Sequence, residues 1–166
     1  RFVFHFPVSE RSSEGLTSRT PPSSETRFSG RALLVEDDWR VRMTVRQALE
    51  ELGFEVAEAG DGSEALSRGT ENLRLLVADI ALPDVYGPKI RDQLRRRHPD
   101  LRTLYISAHP ATYLIQRGLL NEGDLVLQKP FALDDLASGL AKLRLDEVIG
   151  VESAASFRER PARLSE

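Results

Sequence analysis

The sequence predicts an α/β fold, a doubly wound five-stranded parallel sheet with helices on both faces. Three observations lead there. Short apolar runs alternate with amphipathic stretches five times between residues 31 and 145. The runs Ala32-Leu33-Leu34-Val35 and Leu73 to Ala78 are near-continuous in apolar character, the pattern of strands covered on both sides. Each run ends in polar residues, which in such sheets face a common rim at the carboxyl ends of the strands. The composition permits a core, since 40% of the 166 residues are hydrophobic and 30% charged.

Residues 1–8 alternate Phe2, Phe4 and Phe6 around Val3 and His5 and close at Pro7, a stub strand that cannot fold alone. Residues 9–30 are rich in Ser and Thr around Pro21-Pro22 and read as a flexible linker. The first strand ends in Glu36-Asp37-Asp38. Val41, Val45, Ala48, Leu49 and Leu52 then follow helical spacing up to Gly53. Phe54 to Ala57 is a strand, and Asp61-Gly62 begins a helix through Arg68. Leu73 to Ala78 is a strand ending at Asp79. Pro83 and Gly87 bracket a loop before a helix to Arg97. Leu101 to Ile106 is a strand ending at Ser107, and Pro110 opens a helix to Leu120. Leu125 to Leu127 is a strand ending at Lys129-Pro130. Leu133, Leu136, Leu140 and Leu143 mark a last helix to Leu145. Residues 146–166 read as a tail, either frayed or forming a short helix around Glu152–Arg158 that serves a homodimer contact.

Several function classes are excluded early. A net charge of −3 gives no nucleic-acid footprint and no polybasic membrane patch. No helix-turn-helix pattern follows residue 145. The absence of cysteine removes disulfides, thiolate nucleophiles and cysteine metal sites, and three scattered histidines make a poor metal site. No apolar run approaches the roughly 18 residues of a membrane span. The first residues lack the apolar centre of a signal peptide and begin without Met, as a fragment or processed product does. A cytoplasmic location is expected.

The strand ends carry the chemistry. Glu36, Asp37, Asp38, Asp79, Ser107 and Lys129 should converge on one rim. Clustered carboxylates repel, and they stay ionised only with a cation among them. Oxygen ligation with open water positions suits Mg²⁺. A lysine, a hydroxyl and an acid cluster beside one carboxylate suit phosphoryl transfer, with Asp79 as nucleophile forming an acyl phosphate. The structural alternatives are plainer. Asp38 reads as the N-cap of the next helix, Trp39 as an exposed helix-start residue, and Arg95-Arg96-Arg97 as a solvated helix end.

The ordered motifs Leu-Leu-Val-Glu-Asp-Asp, Asp-Ile-Ala-Leu-Pro-Asp-Val-Tyr-Gly, Ile-Ser-Ala and Gln-Lys-Pro-Phe resemble the receiver domain of two-component response regulators over residues 31–145. The resemblance implies a flavodoxin-like sheet of order 2-1-3-4-5. It implies Asp37 as a direct Mg²⁺ ligand, Glu36 acting through water, and the backbone carbonyl of Ala81 as a further ligand. Asp79 would be the phosphoacceptor, Ser107 the switch hydroxyl and Lys129 the conserved-type lysine, with Lys129-Pro130 cis. The phosphoryl donor would be a histidine kinase or a histidine phosphotransfer domain, and the chain itself at most a self-phosphorylating and autodephosphorylating module. Receivers usually carry Tyr or Phe three residues before the lysine, whereas Val126 stands here. Ala81 and His109 occupy the positions flanking the phosphoryl group. Phe-Val-Phe-His-Phe-Pro is similar to the last strand of the ATP-binding domain of sensor histidine kinases, which implies the tail of a hybrid histidine kinase. A non-phosphorylated interaction module is the alternative function. A haloacid-dehalogenase-like phosphatase expects a second Asp two residues after the nucleophile, where this chain has Ala81.

Overall fold

The structure is a computed structural model and describes residues 28–68, 71–143 and 145. In chain order the elements are β1 (Arg31–Val35), α1 (Trp39–Glu51), β2 (Glu55–Ala59), α2 (Gly62–Ser67) and β3 (Leu73–Asp79). They continue with α3 (Gly87–Arg95), β4 (Arg102–Ser107), α4 (Ala111–Gln116), β5 (Leu125–Gln128) and α5 (Leu133–Lys142). The strands form one sheet in the order β2-β1-β3-β4-β5, and every pairing is parallel. The fold and strand order expected from the sequence are therefore present.

Side chains alternate across the sheet and build two cores. Leu33, Val35, Leu76, Ala78 and Tyr105 pack with Ala65 of α2, Ile90 and Leu94 of α3 and Leu114 of α4. On the opposite face Leu34, Leu75, Val77, Leu104 and Ile106 pack with Val45, Ala48 and Leu49 of α1 and Leu136 and Leu140 of α5. The central strands β1 and β3 are buried almost throughout, which explains their near-continuous apolar runs. The edge strands are less covered: β5 is only partly buried, and β2 begins on an exposed glutamate.

Local chemistry sets several helix limits. Asp38 caps α1, its side chain accepting a hydrogen bond from the Arg40 N–H at 2.8 Å. Asp61 caps α2 through the Glu64 N–H at 2.7 Å, and Glu64 returns a bond to the Gly60 N–H at 2.7 Å, a reciprocal start signal of the capping-box kind. Gly53, with φ +104°, ends the turn after α1. Two helices are shorter than their hydrophobic spacing predicts. α4 stops at Gln116 rather than Leu120, because the chain turns at Gly118 with φ +67°. Leu119 and Leu120 then pack on the core from outside the helix. α5 ends at Lys142, and Leu145 packs on the core beyond it.

The folded unit begins earlier than residue 31. Phe28, placed by sequence in the linker, is 5% exposed, stacks on Phe54 with ring centroids 5.4 Å apart, and donates its N–H to the Leu52 carbonyl at 3.0 Å. An isolated aromatic among serines gave no periodic signal for this docking. The stub strand at 1–8, the rest of the linker and the tail at 146–166 lie outside the described residues. No helix among the described residues is long and apolar enough to cross a membrane.

Candidate functional site

Parallel strands of one polarity deliver their last residues to the same rim. β3 ends on Asp79 and β4 on Ser107, Glu36 follows β1, and Lys129 follows β5. Glu36 stays in line with the sheet because its N–H bonds the Ala59 carbonyl of β2 at 3.1 Å. The chain then turns away, so Glu36 is fully buried whereas Asp37 is exposed. Ligand oxygens of Glu36, Asp37 and Asp79 lie within 4.8 Å of one another.

Lys129 bridges two of these acids. Its ammonium donates to both Glu36 oxygens at 2.9 and 2.8 Å and to Asp79 Oδ2 at 2.7 Å. The other Asp79 oxygen, Oδ1, accepts from the Ala81 N–H at 2.9 Å, which draws Ala81 back to the rim. The Lys129 N–H donates to the Ser107 carbonyl at 2.7 Å, and the Lys129-Pro130 peptide is cis. Ser107 is 3% exposed, and its hydroxyl oxygen accepts from the His109 N–H at 3.0 Å. Glu36, Asp37, Asp79, Ala81, Ser107 and Lys129 lie on this rim, whereas the Asp38 side chain, also expected there, turns to cap α1 and is not part of the acid cluster.

The electrostatics leave room for a cation. Burial raises the Glu36 pKa, and the hydrogen bond and charge of Lys129 offset this only in part. Burial pulls the Lys129 pKa down, but the hydrogen bonds to Asp79 and Glu36 outweigh it and the net shift is upward. The asymmetry has a simple origin: the lysine gains from two carboxylates, whereas Glu36 gains from one ammonium. Three carboxylates facing one ammonium retain excess negative charge. That donor set, all oxygen and partly open to water, fits a hard divalent ion.

Other residues support the rim without an obvious sequence signal. Gly87 opens α3 against the Asp79 backbone, where an added Cβ would lie 2.6 Å from the Asp79 carbonyl oxygen. Asp84 accepts from the Gly62 and Ser63 N–H groups at 2.9 and 2.8 Å and from the Ser63 hydroxyl at 2.9 Å, pinning α2 to the loop after β3. The Gly62 N–H, foremost, holds the Asp84 carboxyl below the usual range. Val126 is half-buried and pairs in register with Tyr105 of β4, which is fully buried. The aromatic ring at this level thus comes from β4, with Arg91 above it at 5.8 Å and Arg91 paired to Asp124 at 2.8 Å. A search keyed to residue 126 alone misses that arrangement.

A cavity of about 770 Å³ lies at the other end of the sheet among Arg31, Glu55, Arg74, His98 and Arg102. It touches none of the rim residues. The carboxyl-end rule and the clustered acids both favour the rim as the chemical site.

Comparison with known proteins agrees with this geometry. The sequence model of the response regulator receiver domain matches residues 32–141. The sensor kinase CckA of Brucella abortus is 36% identical over 124 residues, which cover 71% of this chain and 13% of that kinase. The chain spans about half the length of the regulatory proteins it also matches. The crystal structure of the receiver domain of the hybrid histidine kinase CckA superimposes with TM-score 0.56 and 32% identity, covering 69% of this chain and 98% of that one. That of the response regulator TrrA from Thermotoga maritima, in complex with Mg²⁺-BeF, gives TM-score 0.59 and 26% identity over 68% of this chain and 97% of the other. With the same sheet order, an acid cluster at the carboxyl rim and a family match over most of the folded unit, this chain belongs to the response regulator receiver family of two-component signalling.

Proposed function

We propose that Asp79 is the phosphoacceptor of this receiver and takes its phosphoryl group from a phosphohistidine. The observation that carries the reading is the Lys129 ammonium, 2.7 Å from Asp79 Oδ2 and hydrogen-bonded to both oxygens of buried Glu36. An Asp79 oxygen attacks phosphorus, the N–P bond of the donor breaks, and the imidazole leaves with its electron pair. An acyl phosphate results, later hydrolysed by water to the free carboxylate and inorganic phosphate. Lys129 exchanges its bond to the Asp79 carboxylate for one to a phosphoryl oxygen. Ser107 supplies a hydroxyl donor from the end of β4. Glu36, Asp37, Asp79 and the backbone carbonyl of Ala81 would hold Mg²⁺, which supplies charge neutralisation for the phosphoryl oxygens when bound. Support comes from the excess negative charge of the rim and from TrrA, a relative by fold and sequence crystallised with Mg²⁺-BeF.

The donor is a histidine kinase or a histidine phosphotransfer domain, and phosphorylation switches a protein-interaction surface in the cytoplasm. The likeness to the receiver of the hybrid kinase CckA supports attachment to a hybrid histidine kinase. No observation among the described residues favours the non-phosphorylated alternative. The test follows Trp39, which is 57% exposed at the start of α1 beside the acidic loop. Mg²⁺ and then beryllium fluoride, an acyl-phosphate mimic, should each change its fluorescence. Asp79→Asn should abolish the second response. Failure of wild-type protein to bind beryllium fluoride by calorimetry would refute the proposal.

A further inference from the structure

We infer that Arg42 is the positioning residue that holds Asp37 at the rim as a ligand for a divalent cation. The inference rests on the Mg²⁺ reading of the rim. Glu36 and Asp79 are each tied down by Lys129. The exposed Asp37 carboxylate accepts no hydrogen bond among the described residues, so its place is set by its backbone. That backbone has left the sheet, and its last sheet-side tie is the Glu36 N–H to Ala59. Of the next two carbonyls, that of Glu36 accepts from Nη1 of Arg42 and that of Asp37 lies 3.5 Å from the same nitrogen.

Arg42 is itself anchored. Its N–H donates to the Asp38 carbonyl at 2.9 Å within the first turn of α1. Its Nε faces Glu58 of β2 at 3.6 Å, and Glu58 also pairs with Arg46 at 3.4 Å. The guanidinium thus joins the acidic loop, α1 and β2 through one planar fork. A lysine has a single donor centre and cannot span the same partners.

Charge and geometry predict opposite signs. A cation near the rim is repelled by the Arg42 charge, so removing that charge alone should tighten Mg²⁺ binding. If Arg42 instead orients the ligand loop, its loss should weaken binding by about 10-fold or more, as for other groups that orient metal ligands. Arg42→Lys separates the two, because it keeps the charge and loses the fork.

The experiment titrates Mg²⁺ into the whole chain by calorimetry for wild type, Arg42→Ala and Arg42→Lys, with urea midpoints measured in the absence of Mg²⁺. The expected result is a Kd about 10-fold weaker for Arg42→Ala and weakened at least as much for Arg42→Lys, which keeps the repelling charge. A purely structural role would lower the urea midpoints and leave the Kd of the folded variants unchanged, which overturns the inference. Tighter binding by either variant overturns it as well. If Arg42→Ala does not fold, the charge-conserving Arg42→Lys decides alone. Wild-type protein that binds no Mg²⁺ would remove the underlying reading, whereas wild-type binding with unchanged variants removes only this inference.

Discussion

Replacing Lys129 by methionine isolates the charge that stabilises the rim. Methionine keeps the hydrocarbon stem and removes the ammonium from Glu36 and Asp79, whose side chains are only 1% and 11% exposed. Deleting one partner of a buried ion pair costs about 3–5 kcal/mol. Lys129 retains 24% exposure, so the lower end of that range, about 3 kcal/mol, applies at pH 7 without divalent ions. With a urea slope of about 2 kcal/mol/M, the midpoint falls by about 1.5 M. The loss depends on pH in a definite direction. Burial already raises the Glu36 pKa, and without its lysine the pKa rises further. A carboxyl whose pKa is higher folded than unfolded favours the folded state at low pH and loses that contribution as pH rises through the folded value. The gap between variant and wild type should therefore narrow from pH 7 to pH 5. Glu36→Gln in the Lys129→Met background should recover much of the loss. A gap below about 1 kcal/mol at pH 7, or one equally large at pH 5, would refute the reasoning.

Further perturbations test the same physics elsewhere. The Tyr105 hydroxyl is buried without a hydrogen-bond partner, so Tyr105→Phe should stabilise the protein by about 1 kcal/mol. For a domain of this size the melting temperature should rise by roughly 5 °C, and a fall would show that the hydroxyl is satisfied in solution. Gly87→Ala forces a Cβ to 2.6 Å from the Asp79 carbonyl oxygen and should cost about 2–3 kcal/mol by urea denaturation. Gly118→Ala, with φ +67° and no atom within 4 Å, should cost only about 1 kcal/mol. At alkaline pH burial pulls the Lys129 pKa down, but the hydrogen bonds it donates to Asp79 and Glu36 outweigh this and keep it protonated beyond its ordinary range. Its contribution is intact below the ordinary lysine range and disappears as pH rises through the higher folded value. Lys129→Met should flatten that alkaline limb of the stability profile.

The class of fold and the strand-end rim that holds the candidate site were legible along the chain. Near-continuous apolar strands such as β1 and β3 require cover on both faces, and parallel strands bring their carboxyl ends together. Glu36, Asp79, Ser107 and Lys129 were legible for that reason, since each sits at or just past a strand end. Helix starts at Asp38 and Asp61 were also legible, because capping is a local interaction. Tertiary structure alone decided the rest. Phe28 joins the core only because Phe54 and the Leu52 carbonyl lie across from it. α4 ends early because the chain turns at Gly118, and Leu119 and Leu120 meet the core from beyond the helix. Arg42, Asp84 and Gly87 act through partners 5 to 22 residues distant or through backbone approach. Tyr105 acquires its meaning from a register with Val126 on another strand. Periodicity and capping are short-range and can be read along a chain. Which carboxylate receives the lysine, and which side chain holds the loop beside it, depends on contacts between segments that only folding brings together.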